Sequence, residues 1–510
     1  MFVMTDVDVT VVGAGPVGLA LAAELALAGA TVQIVERRTE PDMSVKAMSI
    51  NVPTAEALDR RGLLAAAEQV QRRALERVGP FAPGSGARFT GHFAGMTLDA
   101  DLVDWADPDL AAHTSVDGAR MVPQPDLEAL LAEHVARLGV TVRRGVEVTA
   151  LEDTGDDVLV GTTQGSVRTG WVVGCDGGHS AVRRLAGIDF PGTDPELTGY
   201  LAVVDIADPE KLADGWSWSP LGTYRCGPGP GRVVTAEFDG GPSDRSAPVT
   251  LDALQASLRR VSGTDVTLTA LRGPATRWSD NCRQAATYRS GRVLLGGDAA
   301  HVHPPFGGQG LNLGFGDAMN LGWKLGAVVT GRAAEGLLDT YDAERRPLGA
   351  WVLDWTRAQI GVLRGDAKSA ALRAVVADLL STRNGTTYAV KQISGVAQRI
   401  DLPGNHPLVG RYVPDLWLRD GSRLADHGHA GGFLLLDRTP GATFTHIASP
   451  WADRVTCVTD TSTEPAGVLV RPDGVIAWAT DDTTPAGLTA ALTSWAGAPP
   501  AQTALAQRPR

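Results

Sequence analysis

Two periods of apolar residues run through the chain, and the switches between them mark out its elements. Val9 to Val12 is a short β-branched run that reads as a buried strand. The Ala/Leu-rich run Leu19 to Leu27 predicts a helix closed by Gly29, and Thr31 to Val35 predicts a second strand ending on Glu36. Thr54 to Leu58 predicts a short helix stopped at Asp59-Arg60-Arg61-Gly62. Leu127, Leu130, Leu131, Val135 and Leu138 share one side of a helix within Arg120 to Leu138, and Val140 to Val148 and Val158 to Val173 read as a meander. From about Phe190 to Trp278 the texture becomes short alternating runs, Leu201 to Ile206 and Arg232 to Phe238 among them, broken by Pro/Gly clusters. That predicts a separate, mostly β layer with one helix at Leu251 to Val261. Val293 to Leu295 predicts a strand and Gly310 to Val329 a long helix. After about residue 395 come strands near Phe433 to Leu436, Val455 to Thr459, Val468 to Val470 and Val475 to Ala479, then a final helix.

Composition narrows the function classes. A length of 510 residues suits two or three domains, and 44% apolar with 20% charged residues is ordinary for a soluble globular protein. The net charge of −12, from 46 basic and 58 acidic residues, argues against nucleic acid or an anionic membrane as partner. Cys175, Cys226, Cys282 and Cys457 are scattered without C-x-x-C or metal-ligand spacing, which predicts reduced thiols, no metal and a cytoplasmic home. The apolar start has no Lys or Arg before Arg37 and is cut by Gly13, Gly15 and Pro16, so neither a secretory leader nor a membrane span is expected.

The first chemistry lies in that same start. Gly13-Ala14-Gly15-Pro16-Val17-Gly18 is a G-x-G-x-x-G turn between the first strand and the first helix, with the acid Glu36 at the end of the second strand. Gly13 permits the sharp turn, Gly15 the approach of a pyrophosphate to the backbone, and Gly18 close packing of helix on strand. The helix N-terminus favours the phosphates, and Glu36 can accept hydrogen bonds from a ribose diol.

Two later blocks specify the nucleotide. Val173-Gly174-Cys175-Asp176-Gly177-Gly178-His179-Ser180 follows an apolar strand. Far downstream come Gly296-Gly297-Asp298-Ala299-Ala300-His301 and Pro304-Pro305-Phe306-Gly307-Gly308-Gln309-Gly310-Leu311-Asn312. With the glycine turn, Tyr341-x-x-Glu344-Arg345-Arg346-Pro347 and Arg471-Pro472-Asp473-Gly474, the chain resembles the class A FAD-dependent aromatic hydroxylases. Within that group it is most similar to the hydroxylases of aromatic polyketides of angucycline and anthracycline type. The resemblance implies an α/β fold: a Rossmann-like FAD-binding domain, a β-sheet substrate domain and a C-terminal thioredoxin-like domain. The expected extents are 1–185 for the first FAD-binding part (lending 75–105 to the substrate layer), 186–278 for the substrate sheet, 279–394 for the second FAD-binding part with connecting helices, and 395–510 for the tail.

The resemblance also implies an activity. FAD is reduced by NADPH or NADH, reacts with dioxygen and, through a flavin C4a-hydroperoxide, hydroxylates a polycyclic aromatic polyketide. Baeyer–Villiger or ring-rearranging oxidation of the same class, or flavin-dependent ligand capture without turnover, are the alternatives. The protein is expected to be a monomer or homodimer. By likeness, Gly13, Gly15, Pro16, Gly18, Glu36, Arg37, Lys46, Gln124, Asp176, Asp298 and Gly308 would hold FAD. Pro305, Gly310, Leu311 and Asn312 would both hold it and serve catalysis at its ring. Arg183 and Arg184 could meet the donor's phosphates, and His301 matches a structural position. Trp216, Trp218, Tyr224 and Phe238 are the candidate pocket walls. The arginines that the family usually places at Lys46 and Pro53 are absent; Lys46 offers a point charge and Pro53 no donor at all.

Overall fold

The computed structural model describes residues 7–44, 46–78, 90–227, 229–244, 247–461 and 465–500. Strand β1 (Val7–Val12), helix α1 (Pro16–Leu27) and strand β2 (Val32–Glu36) form the opening unit, with β1 and β2 parallel. Helix α2 (Val52–Arg60) follows, its Asn51 side chain capping the Thr54 N–H at 3.1 Å. Strand β3 (Gly165–Gly174) lies parallel to β1 on its other side.

The chain then leaves this sheet for a second one, antiparallel throughout. Its strands include β4 (Thr198–Ile206), β5 (Gly215–Ser219), β6 (Gly222–Cys226), β7 (Arg232–Glu237) and β8 (Thr276–Ser279), in the order β5-β6-β7-β4, and β8 and a short strand at Leu268–Leu271 also pair with β4. Helix α3 (Leu251–Ser262) covers one face, and Leu254, Leu258 and Val261 pack there on Tyr200, Ala202, Tyr224 and Val233. Strand β9 (Val293–Leu295) returns to the first sheet beside β3.

Helices α4 (Gln309–Val329) and α5 (Thr340–Leu363) complete the nucleotide layer. Helix α4 lies against α1 at a distance only glycine allows: a Cβ on Gly322 or Gly326 would come within 2.3 Å of Glu24 or Ala28. The N-termini of both helices therefore open on the same cleft. The last sheet pairs Phe433–Asp437 with Val455–Thr459 in parallel and with Gly467–Val470 antiparallel; Ile476–Thr480 forms the far edge. Among the described residues no helix is long and apolar enough to cross a membrane.

A buried polar seam joins this last sheet to the nucleotide layer. Arg471 reaches Glu344 at 2.8 and 2.9 Å, and Asn320 links Glu344 to Asp473. Lys324, fully buried, lies 2.9 Å from Glu344; burial and the Arg471 charge push its ammonium down to about 7. The two charged motifs near residues 344 and 471 are thus the halves of one contact.

Candidate active site

The glycine turn leaves a space that no protein atom fills. A Cβ on Gly13 would strike the Cys175 carbonyl at 2.4 Å, and one on Gly18 would strike the Gly13 carbonyl at 2.0 Å. Gly15 is different: its backbone is extended, φ −75° and ψ 179°, and nothing lies within 4 Å of a Cβ placed there. Neither strain nor packing in the chain requires glycine at 15, so the room beside it belongs to a ligand. No side chain caps the N-terminus of α1 or of α4, which leaves the first N–H groups of both free to meet an anion.

Both helix starts line one cleft with about 470 Å³ of water-sized space. Gly15, Pro16, Lys46 and Gln124 line it. Pro305, Gly308, Gly310, Leu311 and Asn312 line it too, as does Asp298. Asp298 is exposed within an otherwise buried run from Val293 to Ala300, as a carboxylate awaiting donors would be. Gly307 and Gly308 take positive φ (78° and 64°), turning the chain into α4.

Other sequence candidates have partners within the chain. Glu36 accepts the Ala14 N–H at 2.8 Å and the Arg38 N–H at 2.9 Å, one on each oxygen, so it braces the glycine turn and keeps lone pairs for a diol. Arg37 beside it is exposed and outside the cleft lining. Asp176 caps a short helix through Ala181 (2.7 Å) and Val182 (3.2 Å), while its Oδ1 is buried without a partner. The Asn312 side chain bridges the Asn51 N–H (2.8 Å) and the Gly308 carbonyl (2.9 Å), tying α4 to the approach of α2. Gln124 donates to Glu128 at 2.8 Å, and its N–H donates to the Ala47 carbonyl. Lys46 pairs with Asp42 at 3.1 Å, and Pro53 is buried in the first turn of α2.

His301 is wholly buried against Asp317 (2.7 Å), which Arg345 also holds at 2.8 Å. His303 reaches the cleft; its Nδ1–H donates to the Pro304 carbonyl at 2.9 Å, and burial pushes its pKa down to about 4. The imidazole is neutral at pH 7, with Nε2 an acceptor near Gly310.

The aromatic rings of the second sheet pack into a cluster that touches the cleft through His92, and neither Trp216, Trp218 nor Phe238 is itself part of the cleft lining. Trp216 lies 5.2 Å from His92 and 5.8 Å from Phe306, Trp278 lies 5.5 Å from Phe306, and Trp218 and Phe238 belong to the same cluster. Tyr224 does not join them. Successive residues of β6 face opposite ways, and Tyr224 is buried under α3 with its hydroxyl accepting the Ala213 N–H at 3.2 Å. Arg183 and Arg184 likewise serve the chain itself. Arg183, buried, donates to the Ala299 and Gly178 carbonyls, while Arg184 is exposed and donates through one nitrogen to the His179 carbonyl, with N–H groups to spare.

Four residues near the cleft escaped the sequence reading. His92 sits in a hairpin at 92–97, part of the 75–105 stretch, of which 79–89 lie outside the described residues. Gln359, on α5, accepts the Ala94 N–H at 2.9 Å and stands over Gly307. Arg225 and Arg232 enter the cleft from β6 and β7.

A dinucleotide cradle whose cleft is also lined by Arg225, Arg232 and His92 from a separate sheet and its hairpin fits a flavin-dependent oxidoreductase that brings a ring substrate to its cofactor. Comparison with known proteins gives the family. The FAD binding domain model matches residues 6–356, and the aromatic-ring hydroxylase C-terminal model matches 406–499. The 12-dehydrotetracycline 5-monooxygenase/anhydrotetracycline 6-monooxygenase of Streptomyces rimosus subsp. rimosus is 41% identical over 96% of this chain and 99% of its own. Dialkyldecalin synthase of Streptomyces rugosporus is 35% identical over 97% and 99%. The solved structure of OxyS anhydrotetracycline hydroxylase from Streptomyces rimosus superposes with a TM-score of 0.84 at 39% identity, covering 97% of this chain and 100% of that one. The chain belongs to the FAD-binding aromatic-ring hydroxylases, and it is an FAD-dependent monooxygenase that draws electrons from NAD(P)H.

Proposed function

We propose that this chain hydroxylates a polycyclic aromatic polyketide in antibiotic-type secondary metabolism. The observation that carries the reading is a single cleft lined both by the nucleotide unit, from Gly15 to Asp298, and by groups from the substrate sheet and its hairpin, Arg225, Arg232 and His92. Bound there, FAD would accept a hydride from NAD(P)H and activate dioxygen for transfer of one oxygen atom to the ring.

The chain's own residues supply the setting. The Gly13–Gly18 turn and the start of α1 would take the pyrophosphate, Glu36 the ribose, and Asp298 the ribityl hydroxyls. Gly310 and Leu311, at the uncapped start of α4, direct N–H groups and the positive end of the helix dipole at negative charge developing on the ring system. Trp216, Trp218, Phe238, Trp278 and Phe306 pack as an apolar aromatic cluster behind His92, which would keep water from that side of the cleft. Asp176 positions the turn beside Gly177 rather than touching substrate.

We further assign residues 1–185 and 279–394 to FAD binding, 186–278 to the substrate roof and 395–510 to a packing domain. That tail has no C-x-x-C, so dithiol chemistry is not part of its role. A cytoplasmic monomer or homodimer fits four free cysteines and the acidic surface.

The test is to purify the protein and follow NAD(P)H consumption with a panel of polycyclic phenols and quinones. Yellow protein with non-covalent FAD, and consumption matched by a product one oxygen heavier, is the expected result. Tight binding with a product of unchanged mass would place the chain with non-oxidative relatives instead.

A further inference from the structure

The substrate sheet carries two cations with no counter-charge. Arg225 on β6 pairs across to Val234 on β7, and Arg232 lies two residues before Val234, so both guanidinium groups share one face of the sheet. Trp216, directly opposite Arg225 on β5, is on that face too, and the Arg225 guanidinium lies 5.7 Å from its ring. Both arginines reach the cleft that holds Gly307 to Asn312.

Neither has a partner among the described residues. The Nε of each is buried and unbonded, and neither side chain makes an ion pair. Burial alone weakens the protonated form of Arg225, and burial and then Arg225 weaken that of Arg232; no carboxylate acts on either. His92, the nearest titratable group from the facing hairpin, is pushed down to about 4 by burial and by Arg225, so it is neutral and brings no negative charge. Asp298, in the same cleft, acts on neither arginine. Both side chains are half-buried, each with its Nε shut away from water and its end toward the cleft, so two like charges stand side by side, partly desolvated, where an anion in the cleft could meet them.

We propose that Arg225 and Arg232 form an anion subsite that takes the ring substrate in its ionised form, as a carboxylate, an enolate or an acidic phenolate. The proposal rests on the hydroxylase reading and sharpens it: the substrate is a planar, oxygen-rich acid. Its charged edge lies under the sheet, next to the Trp216 indole and His92, while the rest of the ring system extends toward Gly307 to Asn312. The forked guanidinium donors suit such oxygens, and the neighbouring indole suits the plane.

The experiment is calorimetric titration of the FAD-loaded protein at pH 7, without NAD(P)H, using two matched probes. These are 1,8-dihydroxyanthraquinone-3-carboxylate and its uncharged 3-methyl counterpart. The wild type should bind the carboxylate at least about tenfold more tightly, as expected for charge-assisted hydrogen bonds. R225M and R232M should each erase most of that preference while affinity for the methyl probe holds, and R225K should keep part of it. FAD content and melting temperature establish that each variant is folded. Equal affinities in the wild type, or a preference that survives the double variant, would overturn the subsite. A lowered flavin midpoint potential in the variants with the probe preference intact would also overturn it, because the arginines would then serve the flavin. Loss of preference in a protein that never consumes NAD(P)H would support the subsite and remove only the monooxygenase reading.

Discussion

At Gly15 the sequence motif and the structure give the same reason for glycine, and it is not the reason at Gly13 and Gly18. Gly13 and Gly18 are glycine because the chain itself crowds them, whereas Gly15 is glycine with open space around it. Gly15→Ala should therefore leave the apo fold and its melting temperature unchanged. Its methyl group enters the room kept for the pyrophosphate, so FAD affinity should fall by about tenfold, equivalent to about 1.4 kcal/mol. Titrating apo protein with FAD by flavin fluorescence checks this. Unchanged affinity would mean that the phosphates lie elsewhere.

At the scale of elements, the end of α2 works as a hook on the C-terminal sheet. Arg61 holds Glu24 at 2.6 and 2.7 Å, and donates to the Gly428 carbonyl at 3.1 Å and the Pro472 carbonyl at 2.9 Å. Arg60 reaches the Asp473 carbonyl, and Asp59 pairs with Arg423 at 2.6 Å. Arg61→Met would strand the buried Glu24 charge at a cost of about 3–5 kcal/mol, and adding Glu24→Met should recover much of it. Urea unfolding of the single and double variants measures both. From sequence, Asp59-Arg60-Arg61-Gly62 was legible as a helix stop but not as a docking surface, because its partners lie hundreds of residues away. The opening strand–turn–helix–strand was legible because every position obeys a local rule. The roof sheet was not: alternation separates two faces without telling which one meets the cleft. Tyr224 therefore reads as a wall residue and is core. Arg225, its neighbour on the opposite face, carries no local signal of a role and lines the cleft.

At the scale of the whole molecule, residues 108–116 form a clasp between α2 and the tail. His113 is buried against Glu56 at 2.5 Å, while Thr114 and Ser115 hold Asp415. Burial disfavours the imidazolium, but the Glu56 carboxylate outweighs it and the pKa rises above the ordinary 6.5. A raised folded-state pKa makes the contribution complete below about pH 6.5, and it is lost as pH rises through the folded value. His113→Gln should therefore lower the melting temperature more at pH 6 than at pH 9. A deficit independent of pH would mean that the pair is held by shape rather than charge.

The nucleotide cradle, the paired arginines of the cleft and the sheet that carries them matter as a set only if one oxygen atom passes to the substrate. Turnover under isotopically labelled dioxygen (18O2), with NAD(P)H and a polycyclic acid that the protein binds, tests that directly. The expected product carries one labelled oxygen for each NAD(P)H coupled to product formation. A product without label, or a rearranged substrate formed while no NAD(P)H is used, would contradict the monooxygenase account.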